Sequence, residues 1–225
     1  MKLTHATREA IRYACLNFHY AKAIPVNTIG YNVYNDSGEW CGVVLFGTGA
    51  APKIGSPFGL VQGQVLELVR VALNGKQPCT SKVVSEALKQ LKKDCPLCRL
   101  VVLYADCDQN HLGTIYQATN WIYIGRVTEG QSHSFLIDGK KIHEKSVRDF
   151  VLKRYSDGSI DNIKKAFHTD NVQKFYTQGK EKYLFPLDKQ IRKKIEQLRK
   201  PYPKKDPNWT KIDRKQFKHE DNGND

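Results

Sequence analysis

Residues Cys98 to Gly125 read CRLVVLYADCDQNHLGTIYQATNWIYIG, and this run narrows the choice of fold more than any other. An apolar stretch, Leu100 to Ala105, ends on Asp106. A polar loop follows, then a helical turn bearing Tyr116, then an aromatic stretch from Trp121 to Ile124. A short apolar run between polar flanks has the length of a buried strand. In α/β sheets, ligands sit beyond the carboxyl ends of the strands. Asp106 and Tyr116 are therefore expected to face one crevice.

The flanking sequence continues an α/β pattern. Ala6, Ala10, Ile11, Ala14 and Cys15 recur at helical spacing over residues 4–16. Ile29 to Tyr34 and Trp40 to Phe46 read as a hairpin around Asn35-Asp36-Ser37-Gly38. A Gly/Pro-rich loop spans residues 47–63, and Val65 to Leu73 is a further strand. Thr80-Ser81 opens a helix running to Lys93, with Val83, Val84, Ala87, Leu88 and Leu91 as its buried face. The strand over 99–106, a helix near Ile115 to Thr119 and a strand from Trp121 to Val127 complete the order. Ser132 to Asp170, with His133, His143 and His168, carries no pattern that places it. A helix from Asp188 to Arg199 ends before Pro201. The expected organisation is a core over residues 1–130, an extension over 131–204 packed on it with a basic helix, and a flexible tail over 205–225.

Charge points to a polyanionic partner. Lys180 to Lys218 holds 11 Lys and 3 Arg against 5 acids, so +9 of the chain's net +13 lies there. Tyr183, Phe185, Tyr202, Trp209 and Phe217 interleave those charges, a composition suited to nucleic acid. No apolar run approaches the length of a transmembrane helix, and the N-terminal residues lack the apolar core of a signal peptide. A cytoplasmic protein is expected. Cys95-x2-Cys98 and Cys107-x3-His111 mimic zinc spacing, but the intervening strand would separate the two halves by about 26 Å. The remaining cysteines read as reduced thiols.

Several residues could carry chemistry. His19-Tyr20 follows the first helix, and histidine can act as a base near neutral pH. Arg70 sits inside the apolar stretch Leu68 to Leu73, where a guanidinium needs a partner or a cleft. Glu67 points to the opposite face of a regular strand and is its partner only if a bulge intervenes. Asp106, or an anionic ligand, is the other candidate. Tyr116 could donate a proton to a leaving group.

The order strand pair, loop, strand, helix, strand, helix, strand resembles the GNAT acyltransferase fold. That is an α/β fold with a central mixed, mostly antiparallel sheet flanked by helices, here with a basic C-terminal extension. The segment where such proteins bind a donor's pyrophosphate, Asn74 to Ser81, has one Gly and contains Pro78. It departs from a glycine-rich phosphate loop.

More specifically, Asn17-Phe18-His19-Tyr20, Gly42 to Gly47, Glu67-Leu68-Val69-Arg70, Leu103-Tyr104-Ala105-Asp106 and Gly113 to Trp121 resemble the phage Mom family. Lys182-Tyr183, Pro186-Leu187-Asp188 and Lys200 to Lys204 extend that similarity. The resemblance implies a phage enzyme with a GNAT-like fold that converts adenine in DNA to N6-(carbamoylmethyl)adenine and so shields the DNA from host restriction. It places His19, Tyr20, Asp106 and Tyr116 in the catalytic site, with iron among the cofactors proposed for that set. It gives Arg70 and Ser81 to the donor. Lys182, Lys189, Arg192, Lys193, Arg199 and Lys204 are the expected nucleic-acid contacts, with Trp121 or Tyr183 stacking on an extruded base. The donor is expected to be an acyl-CoA or a glycine-derived compound such as an aminoacyl-tRNA. Double-stranded DNA is the expected partner, tRNA a second, and a homodimer is left open. The alternatives are a GNAT N-acyltransferase acting on a protein or small amine, and a non-catalytic DNA-binding protein.

Overall fold

The computed structural model describes residues 1–49, 53–129 and 133–204. The expected tail over 205–225, with Trp209 and Phe217, lies outside these residues. The chain divides into two units. The first comprises Met1–Tyr104, Gly113–Gly125 and Lys182–Tyr202. The second includes Ala105–Leu112 and Arg126–Glu181.

Strand β1 (Lys2–His5) precedes helix α1 (Arg8–Asn17), whose first turn is capped by the Thr7 hydroxyl accepting the Ala10 N–H. The sequence pattern predicts helix from residue 4. Pairing with β2 (Thr28–Tyr34) extends the backbone there instead, through Lys2–Tyr34 to His5–Tyr31. Next come β3 (Trp40–Gly47), β4 (Val65–Leu73), α2 (Thr80–Asp94) and β5 (Leu100–Asp106). Cys79, and not Thr80 or Ser81, occupies the N-cap of α2. Helix α3 (Thr114–Gln117) is a single turn, followed by β6 (Ile122–Val127).

After β6 come β7 (His133–Ile137), β8 (Lys140–His143), α4 (Glu144–Val151), α5 (Ile160–Phe167) and β9 (Val172–Tyr176). The chain then forms β10 (Lys180–Pro186) and α6 (Lys189–Glu196). The seven-stranded sheet has the order β1-β2-β3-β4-β5-β10-β6. This mixed α/β sheet with flanking helices is the fold class expected.

Strand β10 is the last in sequence yet is hydrogen-bonded between β5 and β6. Leu184 of β10 and Ile191 and Ile195 of α6 are buried with Val65, Leu100, Val102 and Ile122 in one core cluster. The core is therefore discontinuous in sequence, and the division does not fall at residue 130. Asp188 caps α6 through the Ile191 N–H, and Arg99 grips the same carboxylate at 2.7 Å.

The second unit holds the antiparallel sheet β8-β7-β9 with α4 and α5 packed on it. Phe135, Ile137, Val147, Val151 and Ile163 form its core. The three histidines that the sequence left unplaced have structural roles here. His133 Nδ1 lies 3.2 Å from Glu144, His143 caps α4, and His168 closes α5 in the left-handed conformation.

Candidate active site

The two parallel strands of the first unit pair only briefly. Val65, Leu66 and Glu67 of β4 lie beside Leu100, Val101 and Val102 of β5, and no residue beyond is paired. Leu68–Leu73 of β4 and Leu103–Asp106 of β5 thus run on without pairing to each other. The ladder between β3 and β4 shifts register where Leu45 pairs Arg70 and Phe46 pairs Leu68. Val69 is the extra residue. This bulge puts Glu67 and Arg70 on one face, which a regular strand would not do. Tyr104 of β5 is half-buried, and burial, with Glu67 adding, raises its phenol pKa.

Arg70 is turned toward α1 and its own backbone. Its Nη1 donates to the Val69 carbonyl at 2.6 Å, and its charge is felt by the buried Cys15 thiol of α1. The Arg70 Nε is buried without a hydrogen-bond partner among the described residues. Ser81, in the first turn of α2, places its hydroxyl 3.0 Å from the Cys79 sulfur. That contact, together with the Ser81 and Lys82 amides, lowers the Cys79 thiol pKa. The turn before α2 is closed on itself: the Asn74 side chain accepts the Lys76 N–H, and the Lys76 ammonium pairs with Glu39.

His19 and Tyr20 follow the end of α1, next in sequence to Phe18, whose ring packs with Tyr13 and Trp40. The two rings lie 4.4 Å apart at 30°. His19 Nδ1 accepts the Ala21 N–H at 3.1 Å, so a neutral His19 carries its proton on Nε2. It then presents a donor rather than the lone pair of a base.

Tyr116 stands on α3, its ring 5.3 Å from Trp121 and 6.0 Å from Tyr183. Burial raises its pKa above the usual phenol range, with Tyr20 and then Tyr183 adding to the shift. Tyr116 is thus held protonated, and the two expected tyrosines, Tyr20 and Tyr116, sense each other. The fully buried Tyr183 hydroxyl accepts from the Gln117 amide at 3.1 Å. Its ring packs so closely on Gly113 that a Cβ there would lie 2.5 Å from it.

Asp106 falls in the second unit. Its carboxylate accepts the Asp108 N–H and so caps a short turn, Cys107–Gln109. His111 in the following loop has its pKa lowered by burial, against an opposing pull from Asp106. Elsewhere in that unit Arg126 holds Glu181, which is 1% exposed, at 2.8 Å.

The donor chemistry does not fit iron. The Nδ1 lone pair of His19 already accepts the Ala21 N–H, and no three His, Cys, Asp or Glu side chains come together among the described residues.

Lys189, Arg192 and Lys193 are exposed on α6, opposite Ile191 and Ile195, and Lys204 is exposed beyond it. Arg199 pairs with Glu196. Lys182 is half-buried and differs from the rest. Trp121 and Tyr183 are both 0% exposed, so neither offers a free ring face to an extruded base. Sequence reasoning missed Tyr104 and the packing role of Tyr183. The only signal for either was its aromatic character inside an apolar run. No helix among the described residues is long and apolar enough to cross a membrane.

A model of the Mom protein family matches residues 1–204. No curated protein sequence matches the chain. Among solved structures, the chain is similar to a Bacillus subtilis acetyltransferase in complex with CoA, at 12% identity and TM-score 0.42, covering 83% of this chain and 97% of that one. It is also similar to a chimeric spermidine N-acetyltransferase SpeG from Vibrio cholerae, at 10% identity and TM-score 0.47, covering 87% and 98%. An IAA acetyltransferase from Bacillus cereus matches at 12% identity and TM-score 0.43, covering 83% and 99%.

Proposed function

This chain belongs to the Mom protein family, and from that premise we propose that it is a transferase that modifies the N6 amine of adenine in DNA. The product of the reading is N6-(carbamoylmethyl)adenine, and its consequence is protection of the DNA from restriction. The observation that carries it is the family match over residues 1–204. The geometry of the first unit supports it. Strands β4 and β5 are unpaired beyond Glu67 and Val102, and the half-buried phenol of Tyr116 has its pKa raised, with Tyr20 adding to the shift.

The chemistry assigns roles to these groups. The exocyclic amine of adenine is a weak nucleophile, because its lone pair is delocalised into the ring. N6 attacks the carbonyl of a glycyl ester and the ester oxygen leaves, taking up a proton as N6 gives one up. In the resulting N6-glycyl amide the glycyl amine displaces the amide nitrogen at C6, which gives the CH2–CO–NH2 linkage with no further reagent. Tyr116, held as the neutral phenol, donates a proton to the leaving group. Neutral His19 donates through Nε2 and orients an acceptor oxygen or ring nitrogen. The base is extruded or caught in opened DNA, since N6 is otherwise stacked within the duplex. The exposed cations of α6 hold phosphates without regard to sequence.

The product joins nitrogen to a methylene carbon, which simple acetyl transfer from acetyl-CoA does not give. A glycine-derived donor has the required connectivity, and an aminoacyl-tRNA is its carrier in this reading. The closed turn before α2, which lacks a glycine-rich phosphate loop, agrees with a donor other than free coenzyme A.

The test is expression in a bacterium carrying a plasmid, followed by digestion of its DNA to nucleosides and mass measurement. The expected result is an adenosine heavier by a CH2–CO–NH2 group in place of one hydrogen. Ordinary nucleosides from well-folded protein would overturn the reading and favour an N-acyltransferase of another amine.

A further inference from the structure

Lys182 is set apart from the other lysines of the basic C-terminal stretch. Leu184, two positions on along β10, is fully buried in the core shared by β4, β5, β6 and α6. Alternation along the strand therefore turns Lys182 to that same face. Its ammonium lies 5.5 Å from the Phe58 ring centroid and 5.6 Å from that of Tyr104. Both walls are fixed. Phe58 is 3% exposed, and its carbonyl accepts the Lys194 ammonium of α6 at 2.8 Å. Tyr104 belongs to β5, two residues past its last pairing with β4.

Nothing in the first unit balances the charge of Lys182. Among the described residues it has no ion pair and no hydrogen bond, and burial alone lowers its pKa. A cation partly withdrawn from water without a counter-charge is unfavourable, and two ring faces offset only part of that cost. Lys189, Arg192 and Lys193 are exposed instead and meet the cost with water. An anion pairing with Lys182 meets the Phe58 and Tyr104 rings beside it. A terminal oxyanion on a small molecule can do this, whereas the bridging phosphates along a duplex meet the open face of α6 more readily. Glu67, whose charge is felt at Tyr104, disfavours movement of that anion further toward β4.

We propose that Lys182, walled by Phe58 and Tyr104, is the receptor for one oxyanion, the carboxylate or phosphate of a small-molecule ligand bound beside β5. The site stands whether or not DNA is the acceptor of the reaction.

The test uses the full chain with its lysines reductively dimethylated with 13C, which keeps their charge and gives each one a methyl resonance. Lys182→Arg removes one resonance and so assigns it; Lys189→Arg and Lys193→Arg do the same on α6. The otherwise unmutated protein is titrated with sodium acetate and with inorganic phosphate, against sodium chloride at matched ionic strength. The expected result is a saturable shift of the Lys182 resonance in acetate or phosphate, while Lys189 and Lys193 move only as they do in chloride. The anion that saturates at the lower concentration identifies the group. Phe58→Leu is expected to weaken that binding several-fold. The proposal is overturned if Lys182 follows the surface lysines in all three salts. It is equally overturned if its resonance saturates only on addition of duplex DNA, which would make it an ordinary phosphate contact.

Discussion

At the scale of single residues, the phenol of Tyr116 and the glycine beneath it decide the most. No hydrogen bond to the Tyr116 hydroxyl ties it to the fold among the described residues, and its ring is held by Trp121 and Tyr183. Tyr116→Phe is therefore expected to keep the melting temperature while lowering the yield of modified adenine by about 100-fold or more, the usual worth of a positioned acid. Quantifying the nucleoside per mole of folded protein checks it. Gly113 has φ +72° and faces the Tyr183 ring. Gly113→Ala combines left-handed strain, about 1–2 kcal/mol, with a clash against a buried ring. Denaturant unfolding should show a loss of at least about 2 kcal/mol, together with loss of activity, since α3 must shift to relieve the contact.

The sequence made Tyr20 and Tyr116 visible as candidates, and the first unit brings them into electrostatic contact. It could not show that Glu67 and Arg70 share a face, because the extra residue at Val69 is a property of the pairing with β3. It also gave no sign that His19 would lose the lone pair of Nδ1 to the Ala21 amide, a local loop geometry that no spacing encodes.

Among the elements, α6 combines a buried stripe with an exposed cationic one. Replacing Lys189, Arg192 and Lys193 together with Gln should leave Ile191 and Ile195 in the core, so stability should hardly change. DNA affinity should fall, and the slope of log K against log salt should become shallower by about 2–3, as expected for three phosphate contacts. Fluorescence titration over a range of salt concentrations measures both. The start of the helix has its own pH dependence. Arg99 holds the Asp188 carboxyl below its ordinary pKa, with the α6 amides adding to that effect. A depressed carboxylate contributes stability above its unfolded pKa, about 3.9, and loses it as pH falls through the lower folded value. Asp188→Ala should cost about 1–2 kcal/mol at neutral pH, mostly from the lost cap. The difference from the parent should vanish in acid, as thermal melts at a series of pH values would show.

Across the whole molecule, the outstanding property is a first unit assembled from distant parts of the chain. A fragment covering residues 1–130 lacks β10 and α6, and with them Leu184, Ile191 and Ile195. It leaves β5 and β6 without the strand hydrogen-bonded between them. That fragment is expected to show no cooperative unfolding transition by calorimetry, whereas a chain ending after residue 204 should melt as one containing the complete sheet.

What the sequence determined by itself was whatever local pattern dictates. The apolar runs of β2 to β6, the helical stripe of α2, the helix that begins near Asp188 and the +9 of the basic stretch are written in neighbouring residues. Motif similarity added the family. Tertiary structure decided the rest. It paired Lys2–His5 as a strand and carried β10 into the middle of the sheet. It also ended the pairing of β4 with β5 at Glu67 and Val102 and set Lys182 beside two rings. Each depends on which strand lies alongside which, and a one-residue shift of register reverses every side chain. Local propensity is blind to pairing between segments far apart in the chain, such as β4 with β5 or β5 with β10.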